Sequence, residues 1–268
     1  MEKFFNNILV PFALWENAEN TFQKAIDLAN QMQCHVHLLL FVKGHAATEG
    51  HGVALLKNEL QQLYQSRLDP SLSLIVCIRE GQPEKLILEY YRKSQIDLIL
   101  LARTANSMRG TGRPSFPVKV NRLLKKVKCS VLNIIPEPGA KNLRNIVLPV
   151  GDFLPMRKLL LATYLAKLSH STIHLVSSGG KGTTKPGEEM GSLQKSYRLL
   201  RENTNLSVEC GSMPEENLAD AAWAYAKKIK ADLILIGPGR ESLLSGWLNT
   251  LRSRWLFNVS KIPVMTVS

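Results

Sequence analysis

The residues best suited to chemistry lie in one stretch, DLILIGPGRESLLSGWLNTLRSRW, which begins at Asp232. Four apolar residues, Leu233 to Ile236, run into Gly237-Pro238-Gly239, and an arginine- and serine-rich segment follows. Many phosphate-binding loops begin this way, because glycines let backbone N–H groups approach an anion and arginines supply charge. Gly237, Gly239, Arg240, Ser242, Ser245, Thr250 and Arg252 could together form such an anion pocket. A tight turn out of a strand, followed by a helix face of Trp247, Leu248, Leu251, Trp255 and Leu256, explains the same residues without a ligand.

Other chemistry is sparse. His37 and His174 sit in similar apolar runs and read as sheet histidines, while His45 and His51 in GHAATEGHG read as exposed loop residues. No Cys or carboxylate set has metal-ligand spacing, so no metal site is expected. Cys34, Cys77, Cys129 and Cys210 are scattered, without a C-x-x-C pair, and read as reduced, mostly buried hydrophobes. Nothing resembles a Ser/His/Asp triad, a G-x-S-x-G elbow or a deaminase signature. No catalytic residue is assigned, and a turnover reaction is not expected.

A chain of 268 residues, 45% hydrophobic, can build one large core or two ordinary ones. Its apolar runs are too short to cross a bilayer, and the N-terminal segment is broken by Asn6, Asn7 and Pro11, so a cytoplasmic location without a membrane partner is expected. The net charge of +12 calls for an acidic partner. Residues 1–140 hold 17 Lys/Arg against 12 Asp/Glu and the remainder 17 against 10, so the excess is spread over both halves. In the densest cluster, Arg122 to Lys128, the residues Leu123, Leu124 and Val127 keep helical spacing beneath the charges. An amphipathic helix is expected there rather than a nucleic-acid groove, because no aromatic residues interleave for stacking. A nucleic-acid-binding module remains a third functional class on charge alone.

The elements that must position the loop occur twice. ILVP at Ile8 returns as IVLP at Ile146, and VHL at Val36 returns as IHL at Ile173. QPEKLILEYYRKSQIDLILLA at Gln82 returns in MPEENLADAAWAYAKKIKADLILIG at Met213, and CSVLNII at Cys129 returns as IPVMTVS at Ile262. The order is kept, so the chain reads as two copies of one unit, residues 1–137 and 138–268, joined through PEPGAK. In the first copy strands are predicted at 8–11, 36–42, 73–79, 97–102 and 130–135. Helices are predicted at 19–33, 53–67, 83–94 and 119–127, the first with Phe22, Ile26, Leu28, Ala29 and Met32 inward. A glycine-rich insertion is predicted from Ser177 to Gly191. Unbroken apolar strands alternating with helices imply an α/β fold, each copy a five-stranded parallel sheet sandwiched by helices. In such sheets the ligand crevice lies beyond the carboxyl ends of the strands, where strand order reverses. A dinucleotide fingerprint would follow the first strand, whereas Gly237-Pro238-Gly239 follows the fourth and has Ser242 at the third glycine position.

At this point both copies resemble universal stress protein domains. The likeness is carried by the V-P and L-P ends of the first strands, VHLLLFV, the turn at Gly81 to Pro83 and its counterpart Ser212 to Pro214, DLIL, and the CSV and IPV entries to the last strands. It implies a tandem protein of two domains with a Rossmann-like, nucleotide alpha-hydrolase-like fold. It also implies ATP binding through an acidic residue two positions after the first strand's proline and a G-x-x-G, nine residues, G-(S/T/N) loop after the fourth strand.

In the first copy those positions hold Ala13, Ala102, Ala105 and Pro117-Val118, so ATP binding of the family kind is not expected there. In the second copy Gly151 holds the acidic position with Asp152 beside it, Gly237 fits the first glycine, Arg240 takes the second, and Thr250-Leu251 end the loop. The leading expectation is a non-enzymatic tandem protein of stress response or regulation, without a cofactor. Its final strands, SVLNII and PVMTVS, would pair the domains as an intramolecular pseudo-dimer, with homodimerisation a further option. The alternative is a nucleotide- or anion-binding sensor, taking ATP or another nucleotide in the C-terminal crevice through Asp152, Gly237, Gly239, Arg240, Ser242, Thr250 and Arg252.

Overall fold

The computed structural model describes residues 3–13, 19–42, 50–102, 118, 120–134, 143–178, 191–215, 217–237 and 260–267. The chain divides into two compact units, Met1–Ala140 and Lys141–Ser268.

The first unit runs β1 (Asn7–Ala13), α1 (Glu19–Met32), β2 (His35–Val42), α2 (Gly50–Gln65), β3 (Leu74–Glu80), α3 (Pro83–Lys93), β4 (Leu98–Ala102), α4 (Val120–Lys126) and β5 (Ser130–Ile134). Its strand order is β3-β2-β1-β4-β5, with parallel pairing throughout. Every residue of β4 and β5 is buried, as unbroken apolar strands covered on both faces require. Helix α1 turns Phe22, Ala25, Ile26, Ala29 and Met32 inward at helical spacing, together with Thr21. Leu28 is only half-buried, because its place on the helical wheel lies off that stripe.

The second unit repeats the plan with β6 (Asn145–Pro149), α5 (Met156–Ser169), β7 (Thr172–Ser178), α6 (Ser192–Asn203), β8 (Val208–Met213), α7 (Leu218–Ile229), β9 (Leu233–Ile236) and β10 (Val264–Thr266). Its order is β8-β7-β6-β9-β10, again parallel. The two units share fine detail. Helices α1 and α5 are both 14 residues long and end on left-handed residues, Gln33 and His170.

Three expectations need correction. His51 lies within α2, not in a loop, since the helix starts at Gly50 and its packing against β3 outweighs the weak helix propensity of Gly50 and Gly52. Ser177 and Ser178 belong to β7, where register with Ser212 and Met213 extends the strand; the rest of the predicted insertion, residues 179–190, lies outside the described residues. The four cysteines are free, but only Cys34 and Cys129 are buried, Cys77 is half-buried, and Cys210 is exposed on edge strand β8. Burial pushes the Cys34 and Cys129 thiols up to about 12.

Candidate functional site

Each unit opens where its strand order reverses. The paired positions of β6 and β9 stop at Val147 and Ile234, although β6 continues to Pro149 and β9 to Ile236. Likewise β1 and β4 pair only through Ile8–Leu9 and Leu98–Ile99. These splits are the topological switch points at which α/β sheets bind ligands.

The walls of the two crevices differ. In the first unit Phe12 is buried at the carboxyl end of β1 and meets Phe22 edge-on at 4.7 Å between centroids, and Phe22 meets Tyr64 in the same way at 5.0 Å. That aromatic stack, with Ala102 and Val118 also buried, carries no charge, and its one polar group is the Tyr64 hydroxyl. In the second unit the same layer holds a charge. Lys158, in the first turn of α5, is 2% exposed, and its Nζ donates to the carbonyl of Pro149 at the end of β6. Ser192, opening α6, donates from Oγ to the Asp152 carbonyl at 2.6 Å, which ties α6 to the loop after β6.

Of the residues anticipated at this site, Asp152 is exposed beside that loop and Gly237 is half-buried at the end of β9. Gly239, Arg240, Ser242, Ser245, Thr250 and Arg252 lie outside the described residues, as do His45, Ala105 and Pro117. No group of three or more His, Cys, Asp or Glu among the described residues could hold a metal ion.

The aspartate of each DLIL motif has a structural task. Asp97 Oδ2 accepts from the backbone N–H groups of Asn6 and Asn7 at 2.8 and 3.1 Å, and Asp232 Oδ2 accepts from Arg144 and Asn145 at 2.9 and 3.0 Å. Each carboxylate therefore staples the start of its unit's fourth strand to the start of the first.

The sheet histidines are satisfied by a constellation found in both units. The Asn7 Nδ2 group donates to Gln95 O at 2.8 Å, which leaves its Oδ1 to accept from His37 Nε2 at 3.2 Å. That fixes the Nε2–H tautomer, so His37 Nδ1 accepts from the Tyr90 hydroxyl at 2.8 Å. His174 repeats the arrangement with Asn145 at 3.1 Å and Tyr225 at 3.4 Å, and adds Glu209 at 3.4 Å. Burial lowers the pKa of His37, helped by His35; burial also lowers that of His174, against an upward pull from Glu209. The Asn–His–Tyr pattern forms no contiguous sequence motif, although the repeat marks it by placing all three residue types at matching positions.

The basic run from Arg122 to Lys128 forms an amphipathic element. Leu123 and Val127 are buried, Leu124 is half-buried, and Arg122 and Lys126 reach Glu84 of α3 at 3.7 and 3.5 Å.

Two successive α/β units, each split at its switch point, define a tandem Rossmann-like protein. The first unit belongs to the universal stress protein family: the sequence model described as the Universal stress protein family covers residues 4–134. Among solved structures it is similar to a universal stress protein from Archaeoglobus fulgidus, at 15% identity and a TM-score of 0.65, covering 98% of this chain and 96% of that one. A functionally unknown protein from Pseudomonas aeruginosa is similar at 17% identity and a TM-score of 0.65, covering 98% and 92%. The cytoplasmic domain of a prokaryotic cation chloride cotransporter shares the fold at 14% identity and a TM-score of 0.54, covering 97% and 94%. No curated protein matches the chain. No helix among the described residues is long and apolar enough to cross a membrane.

Proposed function

We propose that this chain is a non-catalytic tandem universal stress protein of stress response or regulation, whose N-terminal unit does not take ATP in the family manner. The observation that carries this reading is the closed aromatic end of β1, where Phe12, Phe22 and Tyr64 stack in the layer that a ligand would enter. The test is phosphate release from ATP and Mg²⁺ by the full-length protein, together with photo-crosslinking of an azido-ATP. The expected result is no turnover above the uncatalysed background and no label on residues 1–140; label recovered there overturns the reading of the first unit.

A second reading is favoured by Lys158. A buried ammonium at a switch point is suited to an anionic ligand, so the C-terminal crevice is proposed as a nucleotide- or anion-responsive sensor, using Asp152, Gly237 and the loop that follows. Denaturing the purified protein and identifying released small molecules by mass spectrometry tests this directly. Repeated absence of ligand, with no thermal shift from ATP, removes it. The final strands β5 and β10 are further proposed to pair the two units into an intramolecular pseudo-dimer, since each ends its unit's strand order.

A further inference from the structure

We infer that the second unit carries an oxyanion site at the carboxyl ends of β6 and β7, in which Lys158 supplies the charge and the Ser177 hydroxyl supplies a hydrogen-bond donor. The inference rests on the sensor reading above and names the chemistry recognised there: a phosphate oxyanion, either free or carried by a nucleotide.

The two repeats differ at both positions. Counting back from the matched left-handed ends of α1 and α5 sets Lys158 opposite Thr21; counting on from the matched histidines of β2 and β7 sets Ser177 opposite Leu40. Thr21 and Leu40 are buried in the first unit, where neither carries charge. The second unit therefore has a buried charge where the first has a neutral hydroxyl, and a buried hydroxyl where the first has a leucine.

The pleat decides where Ser177 points. The His174 ring reaches Tyr225 of α7, so residues at odd spacing from His174 point to the opposite face, over which α5 and α6 lie. Ser177, three residues on, is one of them. Its neighbour across the pair is Val150, since the Val150 N–H donates to Val176 O at 2.8 Å, and Val150 leads directly into Gly151 and Asp152. Lys158 descends from α5 onto the end of the same strand, β6.

Ser177 is 4% exposed, and its Oγ has no hydrogen-bond partner among the described residues. A hydroxyl retained at a buried strand end without an acceptor suits a ligand oxygen that completes it. Two further features agree in sign. Gly151 adds no carboxylate to the end of β6, and the positive end of α6, 12 residues long with Gly191 at its N-cap and no side-chain cap, is held at this loop. Ser192 holds that end against Asp152.

The experiment measures thermal shift and calorimetric titration of the full-length protein with inorganic phosphate, AMP and ATP, against chloride at matched ionic strength. Wild type, Ser177→Ala and Lys158→Met are compared. The expected result is stabilisation of wild type by a phosphate-bearing probe, roughly tenfold weaker binding in S177A, and a larger loss in K158M. Response to inorganic phosphate supports recognition of the free oxyanion; response to nucleotides alone supports the same site reading a nucleotide's phosphate. Should K158M fail to fold, S177A decides, because removing one hydroxyl leaves the packing intact. A hydroxyl with no ligand role makes S177A more heat-stable without changing its response, and that result overturns the inference while leaving the sensor reading in place. A wild type indifferent to all three probes removes both.

Discussion

Tyr225 lies against Gly211 so closely that a Cβ there would stand 2.2 Å from the ring, and the ring carries the hydroxyl that reaches His174. Gly211→Ala must push the ring aside and loosen that contact, at a cost of about 1–3 kcal/mol, read from the midpoint of urea unfolding. In the first unit the matching residue is Cys77, so the close approach belongs to one repeat only. The histidines themselves give a pH dependence whose sign is fixed. Burial holds His37 and His174 neutral below their ordinary pKa of 6.5, whereas the unfolded chain protonates them near that value. The unfolded state therefore binds more protons as pH falls, so their contribution is complete above about 6.5 and is lost as pH drops through it toward the folded values. His174 is flanked by Glu209 on β8, Tyr225 on α7 and Asn145 on β6; the exposed carboxylate of Glu209 moderates the loss without reversing it. Stability measured from pH 7.5 down to 5.5 is expected to decline, and a variant with both histidines changed to glutamine should give a flatter profile over that window. Such residue-level facts were only partly legible in the sequence: two histidines in matched strands said "sheet", but their partners, Tyr90 and Tyr225, lie more than fifty residues away.

Polar groups that look like ligand residues often serve to terminate and join secondary structure. Asp232 stands next to the loop that drew attention first, yet its carboxylate is engaged by the N–H groups of Arg144 and Asn145. Asp232→Ala is expected to cost about 2 kcal/mol by leaving two strand donors without an acceptor, with the loss seen in denaturant unfolding and in faster amide exchange at the start of β6. Helix ends follow the same logic: Asn217 caps α7 by accepting from the Ala219 and Asp220 N–H groups, whereas α3 begins with proline and no side-chain cap. Most strands and helices were readable from periodicity, since burial on both faces of a parallel sheet leaves an unbroken apolar run. The misses were local. Glycines at 50 and 52 suggested a loop although α2 includes them, and Ser177-Ser178 suggested an insertion although ladder pairing makes them strand. In both cases packing partners distant in sequence overrode a local preference.

For the whole molecule, the repeat is the organising fact. Each unit contains a complete set of five strands with its own helices and buried core, so residues 1–140 and 141–268 produced separately are each expected to unfold cooperatively. Calorimetry of the two fragments checks this, and mixing them tests the proposed pairing of β5 with β10 through recovery of an equimolar complex by size exclusion. The sequence by itself determined the duplication and the α/β alternation, because these follow from periodicity and order along the chain, and its motifs carried the resemblance to the family. What only the tertiary structure decided is the character of each crevice. Phe12, Phe22 and Tyr64 stack at the carboxyl end of β1, while Lys158 is buried against the end of β6 and the Ser177 hydroxyl is buried at the end of β7 without a partner among the described residues. Helix register and strand pleat set those side-chain directions, and neither leaves a local mark: a lysine in the first turn of a helix reads as surface until the fold turns it inward.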